Sequence, residues 1–105
     1  MDGKTTVKYL QSNIRQKDFQ PELLKDYFLK LSEEVGELSR AMRKGLKASD
    51  INDIKGTIDE EIWDVIYYAL AIANIYDIDV ESVIKVKSEM NELKYPSNVK
   101  FEENR

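Results

Sequence analysis

The chain of 105 residues contains no histidine and no cysteine. Those two absences exclude a structural zinc site, a thiolate nucleophile, a Ser-His-Asp triad and an iron–sulfur cluster. The di-iron sites of ferritin-like bundles also need histidine ligands and are excluded with them. Any chemistry falls to carboxylates, lysines, hydroxyls and amides. An all-oxygen ligand set is hard and suits Mg²⁺, Mn²⁺ or Ca²⁺ far better than zinc or copper.

Proline and glycine are scarce, at two and four residues, and no low-complexity linker or internal repeat divides the chain. No block of basic residues stands against the formal net charge of −4, so a polymeric nucleic acid or an anionic membrane is not an expected partner. Long hydrophobic runs are also missing. The most apolar stretch, Ile62 to Tyr76, is broken by Asp64 and Asn74 and falls short of the roughly 20 residues that cross a bilayer. It is expected to be a buried helix. The segment from Met1 to Thr6 lacks the apolar core of a signal peptide, and a cytoplasmic location is expected. The length suits a single domain over 1–105, with 1–4 and 97–105 as flexible termini. It is small enough that association with a copy of itself would aid stability.

Four helical segments are present, with no alternating strand pattern, so the expected class is all-α: a four-helix bundle-like fold completed by oligomerisation. Val7, Leu10 and Ile14 recur at helical spacing behind Thr5 and Thr6, giving a first helix that ends near Lys17. Pro21 suits the first turn of a second helix. That helix carries Leu24, Phe28, Leu31, Val35, Leu38 and Met42 on one stripe, with Gly45 as its stop. The periodicity fades from Leu46 to Gly56, which is assigned as loop with at most a short helical turn. Thr57-Ile58-Asp59-Glu60 reads as a capping box opening a third helix. Asp77 or Asp79 suits the cap of a fourth, from about Val80 to Lys94, stopped ahead of Pro96.

Two acidic pairs stand out on this framework, Glu34 with Glu37 and Glu61 with Asp64. Residues three apart on a helix lie about 60° apart around the axis and one turn along it, so each pair can offer oxygens to one ion. Glu34 and Glu37 flank the apolar stripe of their helix, whereas Glu33 points away from it and is expected to be solvated. Glu61 and Asp64 share a face with Tyr68, Ala71 and Ile75, a surface otherwise suited to burial. Buried carboxylates without partners cost several kcal/mol, which a cation would offset. Trp63 falls on the opposite side, where packing or a subunit contact is expected. Gly36, in mid-helix, suits a close helix approach.

On the fourth helix a stripe that begins with Val80 and Val83 continues as Lys87, Asn91 and Lys94. An ammonium and an amide four residues apart suit phosphate oxygens or a metal. The competing account is ordinary: acidic pairs are common on soluble helices, and salt bridges to Lys30 or Lys87 would satisfy these acids without an ion. Tyr68 and Phe19 suit a stack on a nucleobase, although aromatics at helical spacing more often belong to the core.

The ordered trio Glu-Glu-Val-Gly-Glu-Leu, Glu-Glu-Ile-Trp-Asp-Val and Lys87-x3-Asn91-x2-Lys94-Tyr95-Pro96 resembles the MazG-like nucleotide pyrophosphohydrolases from about Phe19 to Pro96. The resemblance implies an all-α dimer or tetramer. It also implies an activity that hydrolyses a (deoxy)nucleoside triphosphate to the monophosphate and pyrophosphate with Mg²⁺, for which Mn²⁺ is a possible substitute. The family's E-x-x-E then falls on Glu34 and Glu37 and its E-x-x-D on Glu61 and Asp64, as metal ligands. Glu37 is the candidate proton acceptor. Its K-x3-N-x2-R-Y element falls on Lys87, Asn91, Lys94 and Tyr95, toward phosphate, and better-known members place Tyr68 and Phe19 near the base. Lys94 stands where arginine is frequent, giving a point charge in place of a bidentate fork. Phe19 stands where tryptophan is frequent. A non-catalytic helical module that binds a nucleotide, or only oligomerises, is the alternative function.

Overall fold

The computed structural model describes residues 4–102, and these are all-helical, with no strand among them. Of the expected flexible termini, 1–3 and 103–105 lie outside the described residues. Helix α1 spans Val7–Lys17, capped by the Thr6 hydroxyl, which accepts from the Tyr9 amide at 3.0 Å. Pro21 opens a single 3₁₀ turn, Pro21–Leu23, that leads directly into α2, Leu24–Arg43. Gly45 ends α2 in the left-handed region at φ 63°. The amide of Leu46 reaches the Ala41 carbonyl and that of Gly45 the Met42 carbonyl, which satisfies the last turn.

The 46–56 segment is irregular, as the loss of periodicity implies. Helix α3 spans Ile58–Ile75. Thr57 caps it by accepting from the Glu60 amide, while Glu60 reaches back one residue further than a standard capping box, to the Gly56 amide at 2.8 Å. Asp77, at φ 55°, closes α3 in the left-handed region, which a short polar side chain tolerates. Of the two expected caps, it is therefore Asp79 that sits at the N-cap of α4, Val80–Lys94, with its carboxylate accepting from the Ser82 hydroxyl. Beyond Pro96 the chain forms no helix, and Ser97 and Lys100 both reach back to Glu92.

Helices α2 and α3 form an antiparallel hairpin, the main packing in the fold. The pairing is marked at one end by Tyr27 and Tyr67, which share Asp18, and at the other by Asp59, which accepts from the Ala48 amide. Helix α1 packs on α3 around Ile14, Leu70 and Ala71, with Val7, Leu10, Tyr67 and Val80 closing the cluster; α4 packs on α1.

Two expectations about burial need correction. The α2 stripe is split: Leu24, Leu31 and Leu38 are half-buried, whereas Phe28, Val35 and Met42, spaced by seven, are exposed. Nor is α3 buried all round, because Ile62, Trp63 and Ile66 keep 39–46% of their surface. Helix α3 is covered by α2 and α1, and α2 chiefly by α3, and each carries more apolar surface than those neighbours take. No helix among the described residues is long and apolar enough to cross a membrane.

Candidate metal centre

Helices α2 and α3 meet with Glu34 opposite Glu61 and Asp64. One carboxylate oxygen from each lies within 4.8 Å of the others. The i,i+3 spacing puts Glu61 and Asp64 on the same face of α3, and the antiparallel pairing sets Glu34 against that face. Glu61 is 7% exposed, and its Oε2 is buried with no hydrogen-bond partner. Burial, then the contact and charge of Glu61, push Glu34 above the usual carboxylate value. Burial and the charge of Glu34 push Asp64 up to about 6.

Three crowded carboxylates, one with an orphaned buried oxygen, repel one another when ionised, a charge that a small divalent cation would offset. The donors are all hard oxygens. Their number leaves positions for the waters and phosphate oxygens that Mg²⁺ retains.

The salt-bridge alternative is not what the structure adopts. Lys30 pairs with Glu33 at 3.5 Å, on the exposed side of α2 where Glu33 was expected to be solvated. The charge of Lys30 only partly offsets the upward push on Glu34 and Asp64. Tyr68 and Glu33 in turn hold the Lys30 ammonium above its ordinary pKa.

Glu37 does not join the three acids: it is exposed one turn further along α2 and paired with Arg40 at 3.5 Å. On α4, Lys87, Asn91, Lys94 and Tyr95 are all exposed, with the Lys94 ammonium 5.4 Å from the centre of the Tyr95 ring. Within one chain that face is carried on a helix that packs against α1. Tyr68, one turn beyond Asp64, is half-buried and stands edge-on to Tyr67 at 5.2 Å. Trp63 also stands edge-on to Tyr67, at 6.1 Å. Phe19 is half-buried under the Arg15 guanidinium, 4.0 Å from its ring centre.

Sequence reasoning missed the group that ties these elements together. Asp18 accepts from the Tyr27 hydroxyl at 2.7 Å and from the Tyr67 hydroxyl at 3.3 Å, so one carboxylate pins the end of α1 to both α2 and α3. Burial and that bond push the Tyr27 hydroxyl up to about 12. An acid between Lys17 and Phe19 has no local pattern that announces such a role.

An α-helical hairpin that converges three carboxylates on one point defines a candidate metal site. The profile of the MazG nucleotide pyrophosphohydrolase domain matches residues 21–94. A crystal structure of iMazG from Vibrio DAT 722 with a C-terminal tag is 40% identical, with a TM-score of 0.79 over 84% of this chain and 99% of that one. The N-terminally tagged form gives 40% and 0.80 over 89% and 100%. No curated protein matches. The chain belongs to the MazG nucleotide pyrophosphohydrolase family.

Proposed function

We propose that the protein is a Mg²⁺-dependent nucleoside triphosphate pyrophosphohydrolase that cleaves between the α and β phosphates. The observation that carries this reading is the buried Glu61 carboxylate, its Oε2 orphaned, clustered with Glu34 and Asp64. These three residues would hold the ion, and Mn²⁺ would fit the same donors. When bound, such an ion supplies Lewis-acid polarisation of phosphoryl oxygens.

The chain's own residues supply the rest. Glu37 accepts the proton of a water that attacks the α-phosphorus, or turns inward as a fourth ligand. Its exposed pair with Arg40 is of the kind worth at most about 1 kcal/mol and does not hold it back. As the bond to the bridging oxygen breaks, Lys87 and Lys94 offset charge on the departing pyrophosphate, while Asn91 and Tyr95 orient it. Tyr68 and Phe19 take the base by stacking.

The exposed Phe28, Val35, Met42, Ile62 and Ile66 suit the face of a second copy, so the working form is a dimer or tetramer. Incubation with nucleoside triphosphates and Mg²⁺ tests the reading. Monophosphate plus pyrophosphate supports it. Diphosphate plus orthophosphate indicates a different phosphohydrolase, and binding without turnover a nucleotide-binding module.

A further inference from the structure

Beyond Pro96 the chain turns back onto α4, and one carboxylate that the chemistry above does not use holds it there. Glu92 Oε1 accepts from the Ser97 amide at 3.1 Å and from the Lys100 ammonium, while Oε2 lies 3.3 Å from the Ser97 hydroxyl. The Lys100 bond, followed by the Ser97 amide, holds the Glu92 carboxyl below its usual value. The Ser97 hydroxyl also accepts from the Val99 amide at 3.3 Å, so the tail is tied to itself as well as to the helix.

The tie falls at the end of α4 far from its anchor. The first turn is fixed on α1: Val80 packs against the core cluster and donates its amide to Gln11, and Glu81 accepts from the Lys8 amide at 2.7 Å. Further along, Val83, Val86, Met90 and Leu93 stand exposed. The covered ridge of the helix runs through Val80, Ile84, Ser88 and Glu92, spaced by four and each half-buried. At its far end the cover is the tail, where Lys100 and Phe101 border a groove of about 520 Å³ with Ser88, Glu92 and Leu93.

The same last turn carries residues proposed to grip phosphate. Asn91, Lys94 and Tyr95 lie within three positions of Glu92, and the Tyr95 amide closes the turn on the Asn91 carbonyl at 2.7 Å. Successive helical residues are about 100° apart, so Asn91 lies about 100° and Lys94 about 160° around the axis from Glu92. The clamp therefore holds the turn from behind and leaves the side with Asn91 and Lys94 open.

We infer that Glu92 is a positioning residue: by clamping Ser97 and Lys100 it braces the last turn of α4, so that Asn91, Lys94 and Tyr95 meet the departing pyrophosphate from a fixed place. The inference rests on the proposed pyrophosphohydrolase reading and adds the tail to its phosphate grip. A carboxylate acting only as a charge has the opposite effect, because it repels phosphate and its loss tightens binding. Loss of a brace loosens binding instead.

The test compares the wild type, E92Q, E92A, K100A and the double variant E92A/K100A on a triphosphate that the wild type hydrolyses with Mg²⁺. The readouts are KM, product inhibition by pyrophosphate and by the monophosphate, Mg²⁺ affinity by calorimetry, and thermal melts. In E92A and in K100A, KM and the inhibition constant of pyrophosphate should rise about fivefold, with E92Q between them and the wild type. The double variant should be no worse than E92A, because both changes break one contact. Monophosphate inhibition and Mg²⁺ affinity should not change, since Glu34, Glu61 and Asp64 lie on α2 and α3. K100A alters a residue outside every helix, so its effect does not come from unfolding. An unchanged KM, a KM that falls in E92Q, equal weakening of both products, or losses that add in the double variant overturn the inference while the pyrophosphohydrolase reading stands. If no triphosphate yields monophosphate and pyrophosphate, that reading fails and the inference falls with it.

Discussion

Gln11 and Asn74 clasp each other across the α1–α3 contact: the Gln11 amide donates to Asn74 Oδ1 at 3.1 Å, and the Asn74 amide donates to the Gln11 carbonyl at 2.8 Å. Gln11 also donates to the Ile78 carbonyl and accepts from the Val80 amide, so one side chain fixes both the end of α3 and the start of α4. Asn74→Ala removes one partner and strands buried polar groups on the other. It should destabilise the protein by about 1–3 kcal/mol, read as a lower midpoint in urea with the slope unchanged.

Glu61→Gln should abolish metal-dependent turnover without unfolding the chain. In the proposed role of direct ligand, loss of Glu61 should cost more than the roughly 10–100-fold in metal affinity typical of an outer-shell partner. Calorimetry with Mg²⁺ and a thermal melt check both halves. A variant that binds and turns over normally would remove Glu61 from the site.

Asp64 gives the metal-free protein a definite pH dependence. Its folded pKa is raised from 3.8 to about 6, so its contribution to stability is fully present below its ordinary value and is lost as pH rises through about 6. Asp64→Asn should therefore be more stable than the wild type at pH 7–8 in the presence of a chelator. The advantage should shrink as pH approaches 4. Thermal melts of both proteins across that range decide it, and added Mg²⁺ should reverse the order at neutral pH.

The exposed apolar positions on α2 and α3 predict that the chain associates with copies of itself and that Val35→Glu or Ile66→Glu disrupts that association. Light scattering should show the mass fall to that of the 12.2 kDa chain. Unchanged mass in both variants would place the contact elsewhere.

Much of the fold was legible because helix ends are written locally. Thr6, Thr57 and Gly45 each act through a side-chain cap or a left-handed turn within a few residues. The 3.6-residue period likewise marked the helices themselves, and the i,i+3 spacing marked Glu61 and Asp64 as one face. The wheel could not tell which half of the α2 stripe meets α3, because Leu31 and Val35 are equally apolar and only the neighbour's position separates them.

The amino-acid order alone determined the helical class, the approximate helix boundaries and the oxygen-only chemistry, since each follows from composition or from contacts within about one helical turn. The packing decided the rest. It gathered Glu34 with Glu61 and Asp64 but set Glu37 outside with Arg40, and it hung Tyr27 and Tyr67 from a single Asp18. Those relations join residues up to 49 positions apart, as with Asp18 and Tyr67, and depend on how rigid helices cross, a property carried by no single segment.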